Sequence, residues 1–231
     1  MGTPRLRLRP LTMADYQELY RLRKEPSMRR FFEDPSCQWR NDPRYWASAS
    51  PVDDIPLPSD GGPRPETAAH LRADYATRTA VRSSLELNQY TFEVYRTGLW
   101  GLRAKGADRL IGVAGLVVCR EHLDQDLVIG LSPAWWGQGL ATEAGRALMY
   151  LAFKRLDFWE IRASFAPAHR TAIRLAEKLG LQFDAARQKE RFGEDWSREE
   201  GFDADYFGKR FLFYQLPRRR YFEWLASINK S

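Results

Sequence analysis

Residues 5–12, "RLRLRPLT", alternate charged and apolar side chains, the period of two that marks a half-exposed strand. Thr12 then opens a helix: Asp15 stands three residues on as a capping-box partner, and Tyr16, Leu19 and Leu22 recur on one face. From Pro26 to about Gly62 the periodicity breaks. Pro, Asp, Ser and Gly crowd this stretch, which predicts a long loop or insertion over about residues 26–65, pinned to the body by Trp39, Tyr45 and Trp46. A helical period returns over 66–87, with Leu71, Tyr75, Ala76 and Thr79 at helical spacing. "LWGLRAK" and "RLIGVAGLVVC" flank a short Gly-Ala-Asp turn and predict a hairpin, and "DLVIGL" (126–131) predicts a third strand. A helix over "LATEAGRALMYLAF", a short strand "EIRASFA" and a helix "HRTAIRLAEKLG" closed by Gly180 follow. The tail predicts two more strands, near "QFDAARQKERF" and "KRFLFYQL", as a final hairpin around an acidic loop holding Glu194, Asp195, Glu199 and Glu200. The order of elements predicts a mixed α/β (α+β) sheet with helices on both faces, in one domain over residues 1–231.

Composition sharpens this picture in a few places. With 231 residues, 44% hydrophobic and 13% aromatic, the chain is long and apolar enough for a substantial core. The net charge of +6 is concentrated near the ends, in the first thirty residues and in Arg218 to Arg220. Such clusters suit nucleic acid, an acidic partner, a polyphosphate ligand or simply a solvated basic face. No nucleic-acid motif accompanies them. Two cysteines, Cys37 and Cys119, make neither a disulfide framework nor a zinc pattern. No apolar run reaches membrane-spanning length and the first residues lack a signal-peptide core, so the expected compartment is the cytoplasm.

The informative stretch is "SPAWWGQGLATEAGRALMYLAF", residues 132–153, where a strand gives way to a helix across Gly137-Gln138-Gly139. Glycines there let the backbone turn tightly and approach a ligand with no β-carbon in the way. The first turn of the helix adds unpaired amides and the positive end of its dipole. Together they predict an anion site on the amides from Gly137 to Thr142, with a ligand-free packing turn as the alternative. A P-loop would require Gly-Lys-Ser/Thr and a dinucleotide fold a third glycine or alanine, where Thr142 stands.

"WGQGLATEA" after "DLVIGLSP" resembles the acyl-CoA-binding motif of the GNAT N-acetyltransferases, most closely the RimJ/RimL branch. Trp136, Gly139 and Ala141 occupy the fixed positions of the family pattern, and "AIRLAEKLGLQF" is similar to a second family segment. The resemblance implies a GNAT-type, mostly antiparallel central sheet, acetyl-CoA as donor and a primary amine as acceptor, in a monomer or homodimer. It places the pyrophosphate on Gln138, Gly139, Leu140, Ala141 and Thr142 beside Trp136 and Gly137. The pantetheine arm would lie along Ile129 and Leu131, facing His169 and Ala172, and Arg170 and Arg174 are candidates for the 3′-phosphate.

Attack on a thioester needs a neutral amine. An α-amino group of pKa ~8 is roughly a tenth neutral at pH 7, whereas a lysine of ~10.4 is neutral about once in two thousand. An N-terminal acceptor therefore manages with a weak, water-relayed base, for which Asp126 is the first candidate, ahead of Glu121 and His122. Amides around Ile129 to Leu131 are candidates to hold the oxyanion. The family's Asn-x-x-Ser appears here as His169-x-x-Ala172, so His169 is a catalytic candidate as well as a pantetheine contact. Ala176 stands where many relatives carry an acidic tyrosine, which leaves Tyr206 and Tyr214 as alternatives. Those departures also admit a catalytically weak CoA-binding protein as the competing function.

Overall fold

The computed structural model describes residues 1–33, 65–107, 109–118, 125–192 and 211–228. The opening alternation folds as β1 (Leu6–Pro10), with Leu6 and Leu8 buried and Arg7 and Arg9 outside. It pairs antiparallel with β2 (Leu99–Ala104), which forms the expected hairpin with β3 (Leu110–Val118). β4 (Gln125–Leu131) pairs antiparallel with β3 and parallel with β5 (Glu160–Phe165). β5 pairs antiparallel with β7 (Leu212–Pro217), whose far side carries the two-residue β6 (Gln182–Phe183). The sheet order is β1-β2-β3-β4-β5-β7-β6, a mixed and mostly antiparallel sheet.

Helices cover both faces, as expected. On one lie α4 (Leu140–Lys154), α5 (Arg170–Lys178) and α7 (Arg218–Ile228), which bury Leu148, Phe153, Ile173, Leu179 and Tyr221 against Leu102, Leu116 and Ile161. On the other lie α1 (Tyr16–Lys24), α2 (Pro26–Glu33) and α3 (Pro65–Tyr95), whose Leu19, Leu22, Met28, Phe32, Val81 and Leu85 pack on Val113, Val117 and Val128. Asn88 fastens α3 to the sheet. Its side chain donates to the Leu11 and Leu99 carbonyls and accepts the Leu99 amide.

Three expectations are corrected. Residues 26–33, expected to begin a loop, form α2, because Met28, Phe31 and Phe32 supply an apolar face that the proline at its first position does not interrupt. The helix expected over 66–87 runs from 65 to 95. The strand expected near "QFDAARQKERF" gives only β6 before α6 (Ala185–Phe192). Asp184, 5% exposed, is the reason: its carboxylate accepts the Arg187 amide at 3.0 Å and its carbonyl the Gln188 amide at 3.0 Å, an N-cap that ends the strand. Buried Gln188 then bonds the Phe211 carbonyl and the Phe213 amide, covering β7 where β6 stops. α7 is an element the pattern reading missed, although Tyr221, Trp224 and Leu225 recur at helical spacing. Trp39, Tyr45, Trp46, both cysteines and the acidic loop lie outside the described residues.

The predicted capping partner Asp15 becomes the buried centre of an ionic cluster that reaches the surface at Arg9. It closes a single 3-10 turn (Met13–Asp15), accepts the Thr12 amide at 2.9 Å, and binds Arg9 at 2.5 Å and Arg103 at 2.8 Å. Glu18 also binds Arg103 and accepts the Leu110 amide at 3.0 Å. Burial pushes the Asp15 carboxyl up, but the Thr12 amide, Arg103 and Arg9 outweigh it and hold the group below its ordinary range; Glu18 is lowered in the same way, by Arg103 and the Leu110 amide. A carboxyl lowered on folding stabilises the native state above its unfolded pKa of ~4 and loses that contribution as pH falls through the folded value. Asp15→Asn is expected to lower unfolding stability at pH 7 by about 2 kcal/mol, since Arg103 keeps Glu18 as a partner. The difference from wild type should shrink below about pH 4, as read by urea melts across pH.

Candidate functional site

β4 and β3 pair without interruption from Gly112↔Leu131 to Val118↔Gln125, and the Ser132 amide donates to the Ile111 carbonyl at 2.9 Å. Opposed antiparallel residues alternate between hydrogen-bonded and non-bonded pairs. Ser132, Gly130 and Val128 therefore turn their backbone groups toward β3, and Ile129 and Leu131 turn theirs the other way. On that side β5 runs parallel but pairs at one position, Asp126↔Arg162. Beyond it the strands part, leaving a wedge whose β4 wall offers the Ile129 amide and carbonyl and the Leu131 amide. The Leu131 carbonyl accepts the Trp136 indole N–H at 2.6 Å.

The wedge opens onto the glycine corner. Gly137 and Gly139 have φ of +72° and +74°, the left-handed region that costs glycine nothing and other residues strain. Gly139 caps α4 and accepts the Glu143 amide at 3.0 Å. Among the described residues, no group accepts the amides of Gly137 through Thr142. Gly137, Gln138 and Gly139 are exposed, Trp136 is 58% exposed, Ala141 and Thr142 are half-buried, and Leu140 is buried and anchors the turn. Free amides at the positive end of a fifteen-residue helix suit an anion.

Two side chains that sequence reasoning missed hold this corner. Arg5 donates through Nε to Glu143 Oε2 at 2.7 Å and through Nη1 to the Gln138 carbonyl at 2.7 Å, while its amide donates to Glu143 Oε1 at 2.8 Å. The Thr3 hydroxyl donates to the same carboxylate. Burial pushes the Glu143 carboxyl up, yet Thr3 and Arg5 outweigh it and hold it below its ordinary range. The available signal was a carboxylate in the first turn of a helix read as an anion site, where it demands a cation of its own.

The candidate catalytic residues occupy different ends of the wedge. Asp126 lies at its closed end, 6% exposed, on the β4 face that carries Val128 and Gly130. The α2 ring of Phe31 rests on Gly130 so closely that a β-carbon there would lie 2.8 Å from it. Five residues of strand, roughly 17 Å, separate Asp126 from Leu131. His169 and Ala172 stand past the end of β5, at the open mouth; His169 is the exposed N-cap of α5, and its carbonyl accepts the Ile173 amide at 3.2 Å. Arg170 and Arg174 are exposed on the same helix. Tyr214 is buried on the α4–α5 face of the sheet and its hydroxyl donates to Glu177 at 3.3 Å, so it does not share the Asp126 face. Glu121, His122 and Tyr206 lie outside the described residues. Among the described residues, no group of three or more His, Cys, Asp or Glu is gathered to hold a metal ion, and no helix is long and apolar enough to cross a membrane.

Comparison with known proteins adds an independent line. A family model described as an acetyltransferase (GNAT) domain matches residues 5–182. The probable N-acetyltransferase YjcK of Bacillus subtilis is 30% identical over 127 residues, which are 54% of this chain and 70% of that protein. The uncharacterized protein YkkB of the same organism is 29% identical over 111 residues, 47% of this chain and 64% of YkkB, so the match spans less than two thirds of that relative. Among solved structures, a putative GNAT-family acetyltransferase from Bordetella pertussis superposes with a TM-score of 0.55 at 20% identity, covering 93% of this chain and 97% of the other. A chimera of the Vibrio cholerae spermidine N-acetyltransferase SpeG superposes with a TM-score of 0.53 at 15% identity, covering 94% and 98%. At these identities the superpositions establish the fold.

Proposed function

This chain belongs to the GNAT acetyltransferase family, and from that premise we propose that it transfers an acetyl group from acetyl-CoA to a primary amine by direct attack in a ternary complex. The observation that carries the reading is the continuity of corner and wedge. A row of unclaimed amides at the α4 N-terminus leads directly onto an unpaired strand edge. In this reading the pyrophosphate sits on the amides of Gln138 to Thr142. The pantetheine arm, itself carrying two amides, adds to β4 as a short extra strand bonded to Ile129 and Leu131, with His169 and Ala172 on the opposite side. Arg170 and Arg174 serve the 3′-phosphate.

The acyl carbonyl then lies toward the closed end of the wedge. There an amide of the Ile129–Leu131 segment stabilises the oxyanion, and Asp126 accepts the amine proton through water. The neutral amine attacks the thioester carbon, the C–S bond breaks, and the proton lost by nitrogen balances the one gained by sulfur. Asp126 faces the α1–α2 side, which makes that side the approach for the acceptor. The finer reading is a RimJ/RimL-like enzyme of the cytoplasm whose acceptor is a protein N-terminal α-amine or a small amine. Spermidine belongs in any acceptor panel, because proteins described as spermidine N-acetyltransferases share the fold.

A thermal-shift titration with acetyl-CoA, followed by thiol release with the amine panel, tests this. Saturating donor at a hundred times Kd is expected to stabilise the fold by about 2.7 kcal/mol. No shift at millimolar acetyl-CoA refutes donor binding. Saturable binding with no thiol release from any amine favours the catalytically weak alternative.

A further inference from the structure

We infer that Arg5 is a positioning residue for the donor: it sets the orientation of the Gln138–Gly139 peptide and neutralises Glu143, so that the corner presents its amides to a pyrophosphate. The inference rests on the proposed donor site and adds to it a residue from the far edge of the sheet.

The geometry is specific. In a trans peptide the carbonyl and the following amide point in opposite directions. Arg5 Nη1 draws the Gln138 carbonyl toward itself at 2.7 Å, which turns the Gly139 amide away from Arg5 and out of the corner. Without that tether the Gln138–Gly139 peptide, with glycine on its C-terminal side, is free to flip, and a flip would aim a carbonyl at the anion instead. Glu143 presents a second difficulty, a carboxylate in the first turn of the helix that receives the phosphates. Four donor contacts converge on the pair, three into the carboxylate from Arg5 Nε, the Arg5 amide and the Thr3 hydroxyl, and one from Arg5 to Gln138. The guanidinium thus cancels the carboxylate charge while its Nη2 stays beside Gly139, 3.6 Å from the place a β-carbon would take. One fork-shaped cation performs both tasks, which a lysine's single ammonium centre does not reproduce.

Calorimetric binding of CoA, 3′-dephospho-CoA and pantetheine to the full chain tests the role without any assumption about the acceptor. Arg5→Ala is expected to weaken CoA and 3′-dephospho-CoA equally, by about tenfold, and to leave pantetheine affinity where it was. Arg5→Lys is expected to recover only part of the loss. Equal weakening of all three ligands would reveal a merely structural role and overturn the inference. Weakening of CoA alone would assign Arg5 to the 3′-phosphate and overturn it too. If the wild-type protein binds pantetheine as tightly as CoA, the corner does not hold the pyrophosphate, and the donor reading fails together with this one. Should Arg5→Ala not fold, Arg5→Met keeps the aliphatic stem and removes both donor contacts, with the expected loss again confined to the two pyrophosphate-bearing ligands.

Discussion

Gly139→Val is expected to raise the KM for acetyl-CoA by about a hundredfold while the protein remains folded. Space is not the reason. A β-carbon at residue 139 meets nothing nearer than Arg5 Nη2 at 3.6 Å, and one at residue 137 meets nothing within 4 Å. The effect comes from the backbone. Residue 139 sits at φ +74°, where a β-branched side chain costs on the order of 1–2 kcal/mol or more. The corner relieves that strain by leaving the left-handed region, and the amides of residues 139 to 142 then no longer converge. Each charge-assisted bond lost contributes about 1.5–3 kcal/mol, so two together correspond to a hundredfold or more. The strain falls on an exposed turn, so the fold survives and a melt of the variant shows a modest shift. An unchanged KM with the variant folded would show that the corner does not bind the donor.

The second large effect is expected at the closed end of the wedge. Asp126→Asn should lower kcat for an α-amine acceptor by about a hundredfold, the range expected for removal of a positioned base. The loss should be larger for an acceptor of lysine-like pKa, because a smaller neutral fraction leaves more of the proton transfer to the enzyme. KM for acetyl-CoA should move little, since Leu131, where β4 ends before the anion corner, is roughly 17 Å from Asp126 along the strand. That split separates a chemical role from a packing role. Asp126 is buried beside its register partner Arg162, and a variant that merely loosens this pair would raise KM for the donor and lower the melting temperature together. Equal kcat in the two proteins would remove Asp126 from the mechanism.

Most of the sheet is legible in the sequence because its signals are local. β1 announces itself by strict alternation, the β2–β3 hairpin by two apolar runs around a short turn, and α5 by its periodicity and the glycine at 180, whose φ is +91°. The corner is legible for the same reason: two glycines, small residues after them and an amphipathic helix all fall within one short segment. What escaped depends on partners far along the chain. α2 looked like the start of a loop because its apolar face has meaning only against the sheet, where Phe31 lies on Gly130. The α6 segment has a strand-like sequence, but Asp184 caps it as a helix. Arg5 read as one basic residue in a basic cluster, and only the fold brings it to Glu143 and Gln138, more than 130 positions away. The wedge itself could be expected from the resemblance, but the position at which it closes, Asp126 against Arg162, is a matter of register that no local pattern encodes.

That solitary register has a mechanical meaning. Strands β1 to β4 form one ribbon and β5, β7 and β6 another, and along the seam between them the backbone is stitched once. Elsewhere among the described residues the two ribbons share one side-chain core, to which α4, α5 and α7 contribute. A donor lodged along the seam would act as the missing thread. Filling the active site and welding the halves of the molecule into a single plate would then be one and the same event.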